Sequence, residues 1–199
     1  MMALPASVVI VSRHRAEALW RCLKALAQQD HPKFEVIVVA DPTGIASAQA
    51  TGLNLKLIPF DEANISAARN LGLAEAAGEI VAFIDDDAVA EPTWLSRLCA
   101  PFVDPQVIAA TGFIRGRNGI SFQWKACEVD ALGLDHPLPD KMGLYAGTRQ
   151  RAVKTQGTNC AFRRTGLSAI GGFDPAYRFY LDEADVNLRL AGHGLTAVV

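Results

Sequence analysis

The feature that most restricts the fold is a set of short aliphatic runs with no polar alternation. Residues 7–12 read Ser-Val-Val-Ile-Val-Ser, residues 35–40 Glu-Val-Ile-Val-Val-Ala and residues 80–84 Ile-Val-Ala-Phe-Ile. A strand with one wet face alternates apolar with polar residues, so runs like these suit a sheet covered on both sides. After the first run, Leu19, Cys22, Leu23 and Leu26 recur at helical spacing, and His31-Pro32 ends that helix. A second helix is predicted around residues 65–76, closed by Gly78, and a weaker strand over residues 55–59. Strands alternating with helices predict an α/β fold, with a mostly parallel central sheet and helices on both faces.

The second half is less regular. Residues 107–114 and 159–163 read as strands, residues 123–132 as a helix and residues 135–147 as a mobile loop. A helix over residues 181–191 ends at Gly192, with Arg189 placed to pair with Asp185 and His193 to cap the end, and residues 195–199 start another strand. Gly171-Gly172 reads as turn geometry. At 199 residues the chain is expected to be one domain, with residues 1–110 as the ligand-binding half and residues 111–199 completing the site.

Composition sets the outer limits. Hydrophobic residues make up 50% and charged residues 20%, which excludes a disordered chain. A net charge of −2 gives no general basis for binding nucleic acid or an anionic membrane, although it leaves peripheral membrane association through a local patch open. No apolar run approaches the roughly 20 residues of a membrane span. The start, Met1-Met2-Ala3-Leu4-Pro5, lacks the charged and apolar regions of a secretion signal. Cys22, Cys99, Cys127 and Cys160 are scattered, and Cys22 and Cys160 fall at core positions; unbridged thiols and a cytoplasmic location are expected.

Ligands of parallel sheets bind beyond the carboxyl ends of the strands, where Asp41 and Asp85 stand. Asp85-Asp86-Asp87 places three repelling carboxylates after a buried strand, and a divalent cation such as Mg²⁺ or Mn²⁺ would relieve that repulsion. In extended backbone Asp85 and Asp87 share one side and Asp86 faces elsewhere. The plainer reading is a solvated turn capping a helix that begins near Glu91-Pro92. The segment Asp85-Asp86-Asp87-Ala88-Val89 also fits the nucleophile motif of haloacid-dehalogenase-like phosphohydrolases, with Asp85 as nucleophile. There, however, the motif usually ends the first strand, and here three predicted strands precede it. The turn Ser12-Arg13-His14-Arg15 lacks the G-x-G-x-x-G of dinucleotide-binding folds, and no G-x-S-x-G elbow occurs.

Taken together, the motifs resemble the family 2 glycosyltransferases of GT-A fold over nearly the whole chain. Val8-Val9-Ile10-Val11-Ser12-Arg13-His14-Arg15 resembles that family's first strand and turn, without its usual Pro and Asn. Val38-Val39-Ala40-Asp41, Asn64-Ile65-Ser66-Ala67-Ala68-Arg69-Asn70-Leu71-Gly72 and Asp85-Asp86-Asp87 follow in the family's order, the last on its D-x-D motif. Gly157-Thr158-Asn159-Cys160 and Gly171-Gly172-Phe173-Asp174 also match, and Asp182-Glu183-Ala184-Asp185 resembles the segment bearing the catalytic base, with the acidic order swapped.

The resemblance implies transfer of a sugar from a nucleotide-diphosphate sugar to an acceptor hydroxyl, with inversion. It places Asp41, Arg69, Asp85 and Asp86 against the donor, Asp87 on Mn²⁺ or Mg²⁺, and the base at Glu183 or Asp182. Counting back from Leu188-Arg189-Leu190 aligns Glu183 with the family's catalytic aspartate. The acceptor, a glycan, a lipid-linked sugar or another hydroxyl, would meet residues 135–147. Relatives usually continue past the last strand, so a truncated C-terminus is expected. A nucleotide-sugar-binding domain without turnover is the remaining alternative.

Overall fold

The computed structural model describes residues 3–138 and 141–199; Met1, Met2 and, within residues 135–147, Pro139 and Asp140 lie outside the described residues. The chain runs β1 (Ala6–Ser12), α1 (Ala16–Leu26), β2 (Phe34–Ala40), α2 (Pro42–Gln49), β3 (Lys56–Pro59), α3 (Ile65–Glu75) and β4 (Ile80–Asp85). It continues through α4 (Trp94–Cys99), a 3-10 turn (Ala100–Val103), β5 (Val107–Thr111), β6 (Ile114–Arg115), β7 (Phe122–Trp124) and β8 (Cys127–Asp130). Next come β9 (Asp135–Pro137), β10 (Gly143–Ala146), β11 (Arg151–Val153), β12 (Cys160–Arg163), α5 (Arg164–Ala169), α6 (Asp182–Leu190) and β13 (Leu195–Val198).

Eight strands form the central sheet in the order β10-β13-β5-β12-β4-β1-β2-β3. Strands β1 to β4 pair in parallel, as do β5 and β13. β12 runs antiparallel between β4 and β5, and β10 is an antiparallel edge. The sheet is therefore mostly parallel, with helices on both faces, as the aliphatic runs imply. One core, on the side of Val8, Ile10, Leu19 and Leu95, packs α1 and α4. The other, on the side of Val9, Phe83, Phe162 and Phe173, packs α3 and α6. Among the described residues no helix is long and apolar enough to cross a membrane.

The antiparallel β12 matters for function. Its amino end reaches the edge of the sheet where β1, β2, β4 and β5 have their carboxyl ends, so residues 156–159 join the loops that end those strands.

Three expectations need correction. Residues 123–132 are not a helix: β7 and β8 occupy them, and β8 is hydrogen-bonded between β11 and β9. In Glu128-Val129-Asp130 only Val129 is fully buried, so the governing period is two. Residues 135–147 are not one loop, since β9 and β10 both lie there and β10 closes the sheet edge against β13. The strand expected over residues 107–114 ends at Thr111, and β6 leaves the sheet to pair with β7. The expectation also lacked α2. Asp41 caps this helix by accepting from the Thr43 amide, with Pro42 opening its first turn.

α3 approaches the sheet so closely that position 72 must lack a side chain. A Cβ on Gly72 would lie 2.3 Å from Val9 Cγ1. Gly72→Ala should therefore destabilise the fold by about 1–3 kcal/mol through overpacking. Val9→Ala, itself costly, should cost much less once Gly72→Ala is present, a coupling that a urea-denaturation double-mutant cycle measures. Strictly additive costs would mean that α3 shifts freely.

Candidate functional site

The loops at this sheet edge enclose a cleft of about 1460 Å³. Asp85, Asp86 and Asp87 form part of its wall, as do Arg178 and Phe179, and Arg13 and Arg15 reach it from the turn after β1. Asp85 ends β4, and the backbone then turns, with the Ala88 amide donating to the Asp85 carbonyl at 3.1 Å. A turn, rather than continued extended chain, separates the three carboxylates. Asp85 and Asp87 side chains remain 44% and 39% exposed, whereas Asp86 is only 4% exposed.

Asp86 is held from two sides. Ser12 Oγ donates to its Oδ2 at 2.7 Å, and Arg15 Nη1 lies 3.0 Å from its Oδ1. The same guanidinium reaches Asp87, with Nη2 2.5 Å from Oδ2. Burial pushes the Asp86 and Asp85 carboxyls upward; the Ser12 hydrogen bond and Arg15 oppose this at Asp86, and Arg69 opposes it at Asp85. Their acidic neighbours raise both further.

Arg69 projects from α3 into the interior. Its guanidinium carbon sits 5.3 Å from the Phe173 ring centroid and 6.0 Å from that of Phe83. Nη1 donates to Asp182 Oδ2 and, at 3.1 Å, to Glu183 Oε1, while Nη2 lies 3.8 Å from Asp85 Oδ1. Burial works against the charge on Arg69, yet Glu183 and Asp182 outweigh it and hold the guanidinium protonated. Glu183 Oε1 also accepts from the Gly157 amide at 3.0 Å. A side chain at position 157 would collide with both members of this pair, its Cβ falling 1.9 Å from Arg69 Nη2 and 2.3 Å from Glu183 Oε1.

The two candidate bases are pushed in opposite directions. Asp182 is almost fully enclosed, and burial and the neighbouring Glu183 charge raise its carboxyl despite Arg69. Glu183 remains 21% exposed; burial would raise it, but Arg69 and Asp182 hold it below the ordinary range. The pair thus provides one carboxylate that is ionised and partly exposed beside one that is buried.

Asp41 stands apart. It is buried, accepts from the His14 amide at 3.0 Å and from Thr43 Oγ1 at 2.6 Å, and so fixes the turn carrying Arg13 and Arg15. None of Asp41, Arg69, Asp182 and Glu183 lines the cleft; Arg69 pairs with Asp85, which does, and Asp41 holds His14, which stands between the lining residues Arg13 and Arg15. Arg15 and Gly157 were absent from the sequence-derived set. A surplus of carboxylates at one sheet edge was the signal for Arg15, whereas nothing in sequence announces the space that Gly157 must leave.

The carboxylates of Asp85 and Asp87 suit a hard divalent cation, which takes one or two protein carboxylates and completes its shell with water and substrate phosphates. Among the described residues no group of three or more His, Cys, Asp or Glu side chains could hold a metal by itself. Asp85 and Asp87 could supply two ligands to such a cation, with the rest of its shell left to water or a bound ligand.

A profile of glycosyl transferase family 2 matches residues 7–171. The chain belongs to glycosyl transferase family 2. This membership, with the Asp triplet following the fourth strand, overturns the phosphohydrolase reading. Among curated relatives, glycosyltransferase AglE of Haloferax volcanii is 37% identical over 100 residues, covering 46% of this chain and 33% of its own length. An uncharacterised glycosyltransferase of Nostoc sp. is 32% identical over 185 residues, covering 88% of this chain and 56% of its own length. The chain thus spans between a third and somewhat over half of these two relatives. Mannosyltransferase PcManGT of Pyrobaculum calidifontis, solved with GDP-Man and Mn²⁺, superposes over 99% of this chain and 57% of its own with a TM-score of 0.73 at 21% identity. GalNAc-T7, solved with UDP, GalNAc and Mn²⁺, gives a TM-score of 0.76 at 16% identity, over 99% of this chain and 42% of its own. The fold of family 2 in this chain is accordingly the GT-A fold.

The hydrogen bonds to Asp41 outweigh its burial and lower its carboxyl to about 2. A depressed folded-state value stabilises above the ordinary value near 3.9 and loses that contribution as pH falls through the folded value. Asp41→Asn should cost about 1–2 kcal/mol near pH 7, because the amide turns a donor toward a backbone N–H. Urea denaturation should find that gap flat from about pH 5 to 7 and closing between about pH 4 and 2. A gap still open at pH 2 would show that the charge on Asp41 is not what the turn depends on.

Proposed function

We propose that this chain transfers a sugar from a nucleotide-diphosphate sugar to an acceptor hydroxyl, with inversion at the anomeric carbon and with help from a divalent cation. The observation that carries the reading is Arg69, which joins Asp85 on the cleft wall to Glu183 on α6. Donor-side and base-side carboxylates are thereby held by one cation. Family membership supports sugar transfer, and the nucleotide and Mn²⁺ complexes of PcManGT and GalNAc-T7 support the donor class and the cation.

In this reading the donor lies in the cleft, with its diphosphate beside the turn that Asp85 begins. Asp87, with Asp85, would hold Mn²⁺ or Mg²⁺, which neutralises charge on the departing diphosphate. Asp86 is the internal strut that keeps Arg15 and Ser12 in place beneath the donor. Asp41 and Arg69 serve donor binding through the residues they fix. Glu183, ionised and partly exposed, accepts the proton of the acceptor hydroxyl as its oxygen attacks the anomeric carbon. The bond from that carbon to the diphosphate oxygen breaks on the opposite face, and its electron pair leaves with the nucleoside diphosphate. Asp182, buried on Arg69, positions the guanidinium and does not meet the acceptor.

Glu183→Gln should leave binding of UDP or GDP with Mn²⁺ within about two-fold while lowering transfer by about 10²-fold or more, the range for removal of a general base. Asp87→Asn should instead abolish the gain in nucleotide affinity that Mn²⁺ gives. Calorimetry on the variants, with and without EDTA, separates the two roles. A Glu183→Gln protein that still transfers at the normal rate would move the base elsewhere, and nucleotide affinity indifferent to EDTA would remove the cation from the reading.

A further inference from the structure

Five carboxylates at this edge of the sheet, Asp85, Asp86, Asp87, Asp182 and Glu183, pair with two guanidiniums, those of Arg15 and Arg69. Arg69 is enclosed by its aromatic and acidic partners. Arg15 differs, because its side chain is half exposed, lines the cleft and stands at the start of α1. Its two ends also differ. The Asp86 end is anchored, since Asp86 is buried and fixed by Ser12; the Asp87 end lies on an exposed carboxylate facing the cleft.

From this asymmetry we infer that Arg15 is a diphosphate-binding residue of the donor site, and that it and a divalent cation are alternative partners for Asp87. The inference rests on the donor reading above. A cation on Asp87 and the guanidinium on the same carboxylate would be two positive charges within a few ångströms, a strongly repulsive arrangement in a partly enclosed cleft. Pivoting about its anchored contact with Asp86, Arg15 releases Asp87 and presents its remaining N–H groups to the cleft. A planar guanidinium with parallel donors matches phosphate oxygens better than an ammonium does.

The consequence is coupling. A cation arriving alone must displace Arg15 with nothing to receive it, whereas a diphosphate arriving with the cation provides that partner. Reciprocity then requires that each ligand strengthen the other by the same factor.

The test uses electron paramagnetic resonance of Mn²⁺ with the whole chain, with and without saturating UDP or GDP and corrected for Mn²⁺ bound by nucleotide alone. Melting curves in EDTA confirm that each variant folds. The wild type should bind Mn²⁺ weakly alone and on the order of ten-fold more tightly with a nucleoside diphosphate, a usual size for linkage between two ligands. Arg15→Gln should bind Mn²⁺ alone on the order of ten-fold more tightly than the wild type and gain little from the nucleotide. Arg15→Lys keeps the charge and loses the fork, so its affinity for Mn²⁺ alone should stay near wild type while the coupling falls. Arg15→Gln affinity for Mn²⁺ that is unchanged or weaker overturns the inference, as does full coupling in Arg15→Lys. If the wild type binds no Mn²⁺ with either nucleotide, the donor reading fails and the inference with it; coupling in the wild type that Arg15→Gln leaves intact defeats the inference alone.

Discussion

A buried guanidinium tolerates few arrangements around it, and Arg69 imposes that constraint on this fold. An unpaired charge in the interior costs far more than any single contact returns, so Arg69 must find carboxylates wherever α3 places it. It finds them on elements far apart in sequence: Asp85 at the end of β4, and Asp182 and Glu183 in the first turn of α6. Phe83 and Phe173 wall the guanidinium and exclude water, which strengthens each pairing. Glu183 and the start of the Asp triplet thus meet at one buried guanidinium.

The surroundings of Arg69 show what that arrangement requires. Asn70, one residue along α3, accepts from the Phe173 amide at 2.9 Å and donates to the Phe173 carbonyl at 2.7 Å, so the helix carrying Arg69 also fixes one of its aromatic walls. Arg189 ties α6 to the same segment through the Ile170 and Gly172 carbonyls and pairs with Asp185, as helical spacing implies. Among the described residues two non-glycine residues adopt left-handed backbone, His14 at φ 58° and Leu181 at φ 66°. His14 follows β1 in the turn that carries Arg15, and Leu181 precedes Asp182. Such conformations cost free energy and persist where surrounding contacts over-determine them, often at functional sites. Here each directly precedes a residue of the site, Arg15 and Asp182.

How much of this was legible in sequence depended on whether a local pattern carried the information. β1, β2 and β4 declared themselves because burial on both faces leaves no polar residue for several positions. The mostly parallel sheet followed from their alternation with helices. In β8 the sequence is ambiguous, since Ala126, Val129 and Leu132 also satisfy a helical spacing; pairing with β9 and β11 decides between the two periods. α2 has its cap in Asp41-Pro42, but Thr-Gly-Ile-Ala-Ser-Ala-Gln after it carries no apolar stripe at helical spacing, so the helix has little signal beyond that cap.

The Asp triplet shows the same division within one motif. Three adjacent carboxylates call for positive charge beside them, and that need is readable without coordinates; in the structure Arg15 and Arg69 supply it. Strand alternation set Asp86 apart from Asp85 and Asp87, but the backbone turns after Asp85 and one Arg15 guanidinium joins Asp86 to Asp87; what buries Asp86 is Ser12 at the end of β1 and Arg15 in the loop after it. Because β1 lies between β2 and β4, the loop after it faces both Asp41 and the triplet, a fact of strand order that the linear sequence does not contain. The choice between Asp182 and Glu183 was beyond sequence for a related reason. The two differ by about 100° around α6, and although Arg69 bonds both, the packing leaves Asp182 enclosed and Glu183 partly exposed. Residue type locates the charges of such a site, but the partner that neutralises each one assigns their roles.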